Sequence, residues 1–175
     1  FAPYKRASLL LDQVQELEKI LSGPYPIVFL YAGKAHPKDG IGQMIMARLL
    51  ETAKKPEFAG RIVFLENYEM PMSKMLLAGS DIWLNMPLRP LEASGTSGMK
   101  AAMNGCLHVS VADGWWPEAY NGRNGWMIEN EEVEMSQEFQ DVYDASRFLY
   151  FLKHEILPMY FNRNEKGIPL QWVQR

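Results

Sequence analysis

Four short apolar runs, each separated from the next by a stretch of helical period, constrain this chain more than any other feature. "PIVFLYAG" (26–33), "RIVFLENY" (61–68), "DIWLNMP" (81–87) and "LHVSVAD" (107–113) are nearly continuous in apolar residues, which is how strands buried on both faces read. Between them the period changes. Leu9, Leu10, Val14, Leu17, Ile20 and Leu21 recur at helical spacing and stop at Gly23-Pro24. Residues 41–55 and 70–80 read as helices, the second with Pro71 in its first turn. A helix over 97–104 closes at Asn104-Gly105, and 141–161 is an amphipathic helix. The glycine- and aromatic-rich segment 114–128 ends in what reads as a last short strand. This alternation predicts an α/β fold: a Rossmann-like parallel sheet with helices on both faces, joined by right-handed crossovers, as one domain over 1–175. Ligands of such sheets bind beyond the carboxyl ends of the strands. Here those ends are followed by loops 33–40, 66–70, 87–96 and 113–124.

Composition narrows the function. A net charge of −3, with basic residues scattered at the ends (Lys5, Arg6, Arg163, Lys166, Arg175), gives no electrostatic case for nucleic acid or an anionic membrane. No apolar run is long enough to cross a bilayer. The single cysteine, Cys106, excludes an internal disulfide and fits a cytoplasmic protein. It precedes a buried strand and reads as core. His36, His108 and His154 lack ligand spacing, so no metal is expected. His108 reads as a strand residue, and His36 as either a cleft residue or a solvated one. The opening "FAPYKR" reads as the interior of a longer protein.

The stretch "LEASGTSGMKAAMNG" (91–105) places a carboxylate, a flexible loop and a lysine directly ahead of a helix. A helix opening near Thr96 or Ser97 offers unpaired amides and a positive dipole end, a seat for phosphate. Gly95 and Gly98 let the backbone approach an anion closely. Lys100 lies one turn past Thr96, with Cβ atoms about 5–6 Å apart. Pyridoxal phosphate would span that gap, its aldehyde joined covalently to Lys100 and its phosphate on the helix end. Glu92, at the head of the loop, is placed to accept from the hydroxyls of a partner. Spacing alone leaves a plainer reading open, that of an ordinary N-cap followed by a solvated lysine.

The same stretch resembles the pyridoxal-phosphate signature of the α-glucan (glycogen, starch and maltodextrin) phosphorylases. "YKRA" (4–7), "GKAHP" (33–37), "VFLENY" (63–68) and "DGWWPEAYNGRNGW" (113–126) follow in that family's order, the last most like its bacterial and archaeal branch. The resemblance implies the C-terminal half of a glycosyltransferase-B fold, with the active site in the cleft facing an N-terminal half. It implies that Lys100 carries pyridoxal 5'-phosphate and that Thr96, Ser97 and Lys5 hold the cofactor's phosphate. Tyr68 would line the cofactor pocket. Glu92 and the amides of Ala93, Ser94 and Gly95 would grip the terminal glucose. The implied reaction is phosphorolysis of α-1,4-glucan by inorganic phosphate to glucose 1-phosphate, Lys100, Glu92 and Lys5 being the residues closest to the chemistry.

Two departures stand out. Where the vertebrate branch has an arginine after "ENY", this chain has Glu69, with Arg89 as a candidate substitute. The family's basic pair ahead of "FAPYKR" lies outside the sequence, so the chain alone is expected to be inactive. Trp115, Trp116 and Trp126 read as packing rather than as sugar platforms, and Met44, Met46, Met70, Met72 and Met75 as helix packing. An exposed apolar surface facing the other half would favour self-association into a homo-oligomer. Two other classes fit the same fold: a sugar-nucleotide glycosyltransferase of the glycogen synthase kind, and a non-catalytic glucan-binding fragment.

Overall fold

The computed structural model describes residues 1–130 and 136–175. They divide into two compact units, Phe1–Lys74 and Met75–Arg175. In the first unit a 3-10 segment, Leu9–Gln13, runs into helix α1 (Val14–Leu21). Leu9, Leu10, Leu11, Leu17, Ile20 and Leu21 are all buried there, as their helical spacing predicts. Strand β1 (Phe29–Ala32) pairs in parallel with β2 (Ile62–Leu65). The crossover between them is helix α2 (Gly40–Ala53). Asp39 caps that helix, its carboxylate accepting from the Gly42 amide at 2.9 Å. Helix α3 (Met70–Gly79) runs across the division between the units.

The second unit holds β3 (Ile82–Asn85), β4 (Leu107–Val111) and β5 (Gly125–Ile128), parallel throughout and in the order β3-β4-β5. Helix α4 (Thr96–Met103) connects β3 to β4, and the short α5 (Trp116–Ala119) lies between β4 and β5. Central β4 is buried on both faces: His108, Val109, Ser110 and Val111 are each at 0% exposure. Leu77, Ala101 and Cys106 form one cluster with Trp83 packed against it, which seats α4 on β3. Burying a large apolar side chain is worth about 1.5–3 kcal/mol, so this small cluster matters to where α4 sits. Cys106 is thus a core residue, and burial, with help from the charge of Asp81, pushes its thiol up to about 12.

Helix α6 (Gln137–Phe151) is capped by Ser136, whose hydroxyl accepts from the Phe139 amide. It continues through a π-helical segment, Leu152–Ile156, into α7 (Leu157–Phe161), and α8 (Leu170–Gln174) ends the chain. The π segment carries Glu155, which accepts from the buried indole of Trp126 at 2.8 Å. Arg175 stacks over the same indole at 4.0 Å and donates to the Gly125 carbonyl.

The α/β class with parallel sheets flanked by helices is as the sequence indicates. Two details differ. The ladder bonds run β1–β2 and β3–β4–β5, giving two sheets where one was expected. A sheet extends only where strands exchange such bonds, and these short strands pair within their own units. Strand β1 is also not buried on both faces, since Val28 and Leu30 are each 49% exposed. Side chains alternate across a strand, and the face bearing these two is open. Three of the five methionines depart as well: Met44, Met70 and Met75 are exposed while Met46 and Met72 are half-buried, and full burial on α2 and α3 falls to Gly42, Leu49, Thr52 and Leu77. Among the described residues no helix is long and apolar enough to cross a membrane.

Candidate functional site

The loop from β3 into α4 puts Glu92, Ala93, Ser94, Gly95, Thr96, Ser97 and Lys100 on one turn of chain at the carboxyl edge of the β3-β4-β5 sheet. Gly95 is the N-cap residue of α4, at φ 80°, a left-handed conformation that a glycine takes without strain. It has no side chain of its own to cap the helix, and the Glu92 carboxylate lies close by, its Oε1 3.1 Å from where a Gly95 Cβ would stand. The positive dipole end of α4 lies at this loop, the arrangement that favours an anion. Thr96 and Lys100 are both exposed, one turn apart on this helix. Ser97 is half-buried, and its Oγ accepts from the Trp83 indole at 3.3 Å, which leaves the hydroxyl hydrogen able to donate outward.

Glu92 is 5% exposed, a burial rare for a carboxylate. Its backbone is held from the neighbouring loop after β4. The Asp113 carboxylate accepts from the Glu92 amide through Oδ2 and from the Gly114 amide through Oδ1, both at 2.9 Å. The Trp115 amide donates to the Ser94 carbonyl at 2.9 Å. Gly114 is left-handed at φ 59°, and a Cβ there would lie 2.6 Å from the Ser94 oxygen and 3.0 Å from Glu92 Cγ. Only a glycine fits between these loops.

Beneath α4 lies His108, at 0% exposure. Its ring stacks edge-on to Trp116 at 4.7 Å and tilts against Trp115 at 5.5 Å. Gly98 covers it so closely that a Cβ would meet imidazole Cε1 at 2.5 Å and Trp115 Nε1 at 3.0 Å. Burial lowers the imidazole to about 4, with the Trp83 backbone opposing the shift. Neither ring nitrogen, nor Trp115 Nε1, reaches a hydrogen-bond partner in good geometry among the described residues. The histidine under the helix end is therefore neutral at physiological pH.

In the first unit, Lys5 ends a 3-10 turn, Pro3–Lys5, with its ammonium 5.2 Å from the Tyr4 ring centroid. Tyr68 donates to the Ser73 hydroxyl at 3.1 Å, and the neighbouring Glu69 faces Lys34 at 3.9 Å. In the second, Arg89 lies 3.6 Å from the fully buried Asp144 of α6. The pair is an ion pair without a hydrogen bond, since Arg89 Nε and Nη2 reach no hydrogen-bond partner among the described residues. His36 is exposed, accepting from the Lys38 amide. Trp116 and Trp126 are buried packing residues, as expected, and Trp115 is half-buried. A cavity of about 460 Å³ lined by Trp126, Tyr143, Arg147, Phe151, Glu155 and Arg175 lies elsewhere in the second unit. Its Glu155 and Arg175 are already bonded to Trp126 and Gly125, so it is not the candidate site. Among the described residues no three His, Cys, Asp or Glu side chains gather as metal ligands.

Sequence reasoning missed Asp113 and Gly114. Their signals were position, a carboxylate and a glycine at a strand's carboxyl end, and their place at the head of the "DGWWPEAYNGRNGW" segment. The donor set fits an anionic, aldehyde-bearing cofactor. It has a helix beginning on a glycine N-cap, hydroxyls at Thr96 and Ser97, and an exposed amine one turn on.

The family described as carbohydrate phosphorylase matches residues 1–121. A glycogen phosphorylase of Aquifex aeolicus is 46% identical over 171 residues, 97% of this chain and 24% of that protein. A maltodextrin phosphorylase of Thermococcus litoralis is 45% identical over 96% of this chain and 20% of its own length. A glycogen phosphorylase of Mycobacterium bovis is 42% identical over 98% of this chain and 20% of its own. The chain thus spans between a fifth and a quarter of these relatives, while nearly all of it is matched. It belongs to the carbohydrate phosphorylase family.

Proposed function

We propose that this chain is the cofactor-binding part of an α-glucan phosphorylase. The reaction is the attack of inorganic phosphate on an α-1,4-glucan, releasing glucose 1-phosphate and a glucan one unit shorter. The observation that carries this reading is the α4 helix end: it starts on a glycine N-cap, has Lys100 one turn on, and has buried Glu92 at the head of its loop. In this reading the sheets belong to a glycosyltransferase-B fold, of which the chain is one Rossmann-like domain. The N-terminal half of the same polypeptide forms the facing wall.

Pyridoxal 5'-phosphate, when bound, supplies an acid–base phosphate beside the substrate phosphate. The chain's own residues anchor and orient. Lys100 provides the covalent attachment point. The first-turn amides of α4, with the Thr96 and Ser97 hydroxyls, hold an anion against the helix dipole. Lys5 and Tyr68 are assigned to the phosphate and to the cofactor pocket on the resemblance alone. Glu92 accepts from hydroxyls of the terminal glucose, and the Ala93, Ser94 and Gly95 amides donate to them. His108, neutral below the helix, contributes no charge, so an anion there would be held by the amides, the hydroxyls and the helix dipole. The glycosidic oxygen leaves with a proton, so a proton donor must lie beside it. Two phosphates held together would need amide and cationic neighbours, which the first-turn amides of α4 would partly provide.

The test is to treat the purified protein with borohydride and map the cofactor label by peptide mass, in parallel with glucose 1-phosphate release from maltodextrin and phosphate. Label on Lys100 with phosphate-dependent release supports the reading. Sugar transfer from a nucleotide donor without any label would favour the sugar-nucleotide glycosyltransferase instead.

A further inference from the structure

Asp113 is not among the residues that the resemblance assigns, yet it holds the head of the candidate sugar loop. Its two carboxylate oxygens are used separately, Oδ2 on the Glu92 amide and Oδ1 on the Gly114 amide, each at 2.9 Å. Two residues on, the Trp115 amide donates to the Ser94 carbonyl at 2.9 Å. Between these ties, Gly114 presses its Cα against Ser94 and Glu92 so closely that no Cβ fits. Three consecutive residues at the end of β4 thus fix the backbone of 92–94 from one side. Glu92 itself is 5% exposed, so its direction is set by this backbone and its packing rather than by solvent.

We propose that Asp113, with Gly114, is a positioning residue for sugar recognition: it pre-aligns Glu92 and the Ala93–Gly95 amides before the glucosyl unit arrives. This rests on the reading of the loop as the glucose-binding element. The physical ground is preorganisation. Groups fixed at the right place need no reordering on binding, and a shift of about 1 Å costs on the order of a hundredfold in rate. A carboxylate is needed because two amide hydrogens must both be accepted. An asparagine has one acceptor oxygen and would turn its amino group toward the other donor. The carboxylate's two oxygens are taken up by the Glu92 and Gly114 amides at the head of the loop rather than at Lys100, so its effect is expected on sugar binding more than on cofactor attachment.

The test compares Asp113→Asn and Gly114→Ala with the wild type in the intact protein that carries this chain. Three measurements are made: hydrogen exchange at the Glu92 amide, affinity for glucose by titration, and borohydride-fixed label on Lys100. Both variants are expected to exchange faster at Glu92 and to bind glucose at least about tenfold more weakly, with KM for glucose 1-phosphate rising more than kcat falls. Label on Lys100 should stay at the wild-type level. Unchanged exchange with glucose affinity within twofold of wild type overturns the proposal, as does a parallel loss of Lys100 label, which would mark general disruption. A wild type that neither binds glucose nor takes label would refute the reading of the loop. The Glu92 exchange would still decide whether Asp113 holds it.

Discussion

Gly98 lies against His108 so closely that a methyl group at position 98 would sit 2.5 Å from imidazole Cε1 and 2.8 Å from Nε2. The contact joins the first turn of α4 to the centre of β4, and neither partner has anywhere to go. His108 is fully buried between the helix and two tryptophans.

Gly98→Ala should therefore be destabilising even though alanine is the better helix former. The propensity gain is about 1 kcal/mol, while overpacking a filled site costs about 1–3 kcal/mol. Denaturant midpoints would show a net loss, and Gly98→Ala/His108→Ala should recover part of it by making room. Gly79→Ala, in a helix where a Cβ meets nothing within 4 Å, should show no loss. A Gly98→Ala protein as stable as wild type would mean that the helix end slides freely over the strand.

His108 makes stability fall in acid. Its imidazole titrates near 6.5 when unfolded and about 4 when folded, so between those values the unfolded chain holds more protons. The contribution is fully present above pH 6.5 and is lost as pH drops toward 4, by as much as roughly 3 kcal/mol in all. The urea midpoint should fall less between pH 7 and pH 5 in His108→Asn than in wild type. Equal falls in the two proteins would show that another group governs the acid limb.

Lys100→Ala should abolish cofactor retention and activity while leaving the thermal midpoint of the cofactor-free protein nearly unchanged. The lysine is exposed, and surface changes of this kind fall within about 0.5 kcal/mol. Cofactor absorbance after gel filtration is the check. An active, coloured Lys100→Ala protein would remove Lys100 from the site.

Glu92→Gln keeps the size of the side chain but weakens its hydrogen bonds to sugar hydroxyls. Charge-assisted bonds are worth about 1.5–3 kcal/mol, so kcat/KM should fall at least about tenfold. Because Asp113 holds the backbone at position 92, the thermal midpoint should move little. Full catalytic efficiency with a lowered midpoint would show that Glu92 supports the loop and does not touch sugar.

The strands and most helices were legible because their signal is local. "LHVSVAD" announces a buried strand by its own run of apolar residues, and α4 is framed by Gly95 before it and Asn104-Gly105 after it. The loop 92–97 and Lys100 were legible for the same reason, being contiguous. What holds that loop was not. Asp113 reaches Glu92 across 21 residues, and Ser94 meets Trp115 only once β3 and β4 lie side by side. His108 read as an ordinary strand residue because nothing in its neighbours tells which helix will lie above it. Arg89 looked available as a lone cation, yet its partner Asp144 lies far along the chain on α6. Exposed Met44, Met70 and Met75 misled for the converse reason, since an apolar residue on a helix does not state which way the helix will face.

The π-helical turn at Leu152–Ile156 takes up one extra residue in the last long rod of the chain. An α-helix advances about 100° per residue, so one residue more or less rephases everything after it. The wide turn absorbs a phase slip here. Phe148 and Leu149 before it, Leu152 and Ile156 at its ends, and Leu157 after it all remain inward, while Glu155 is delivered to the Trp126 indole. Removing one residue from this turn would restore a regular helix with α7 still in phase, so what the extra residue adds is local: it carries Glu155 to the Trp126 indole.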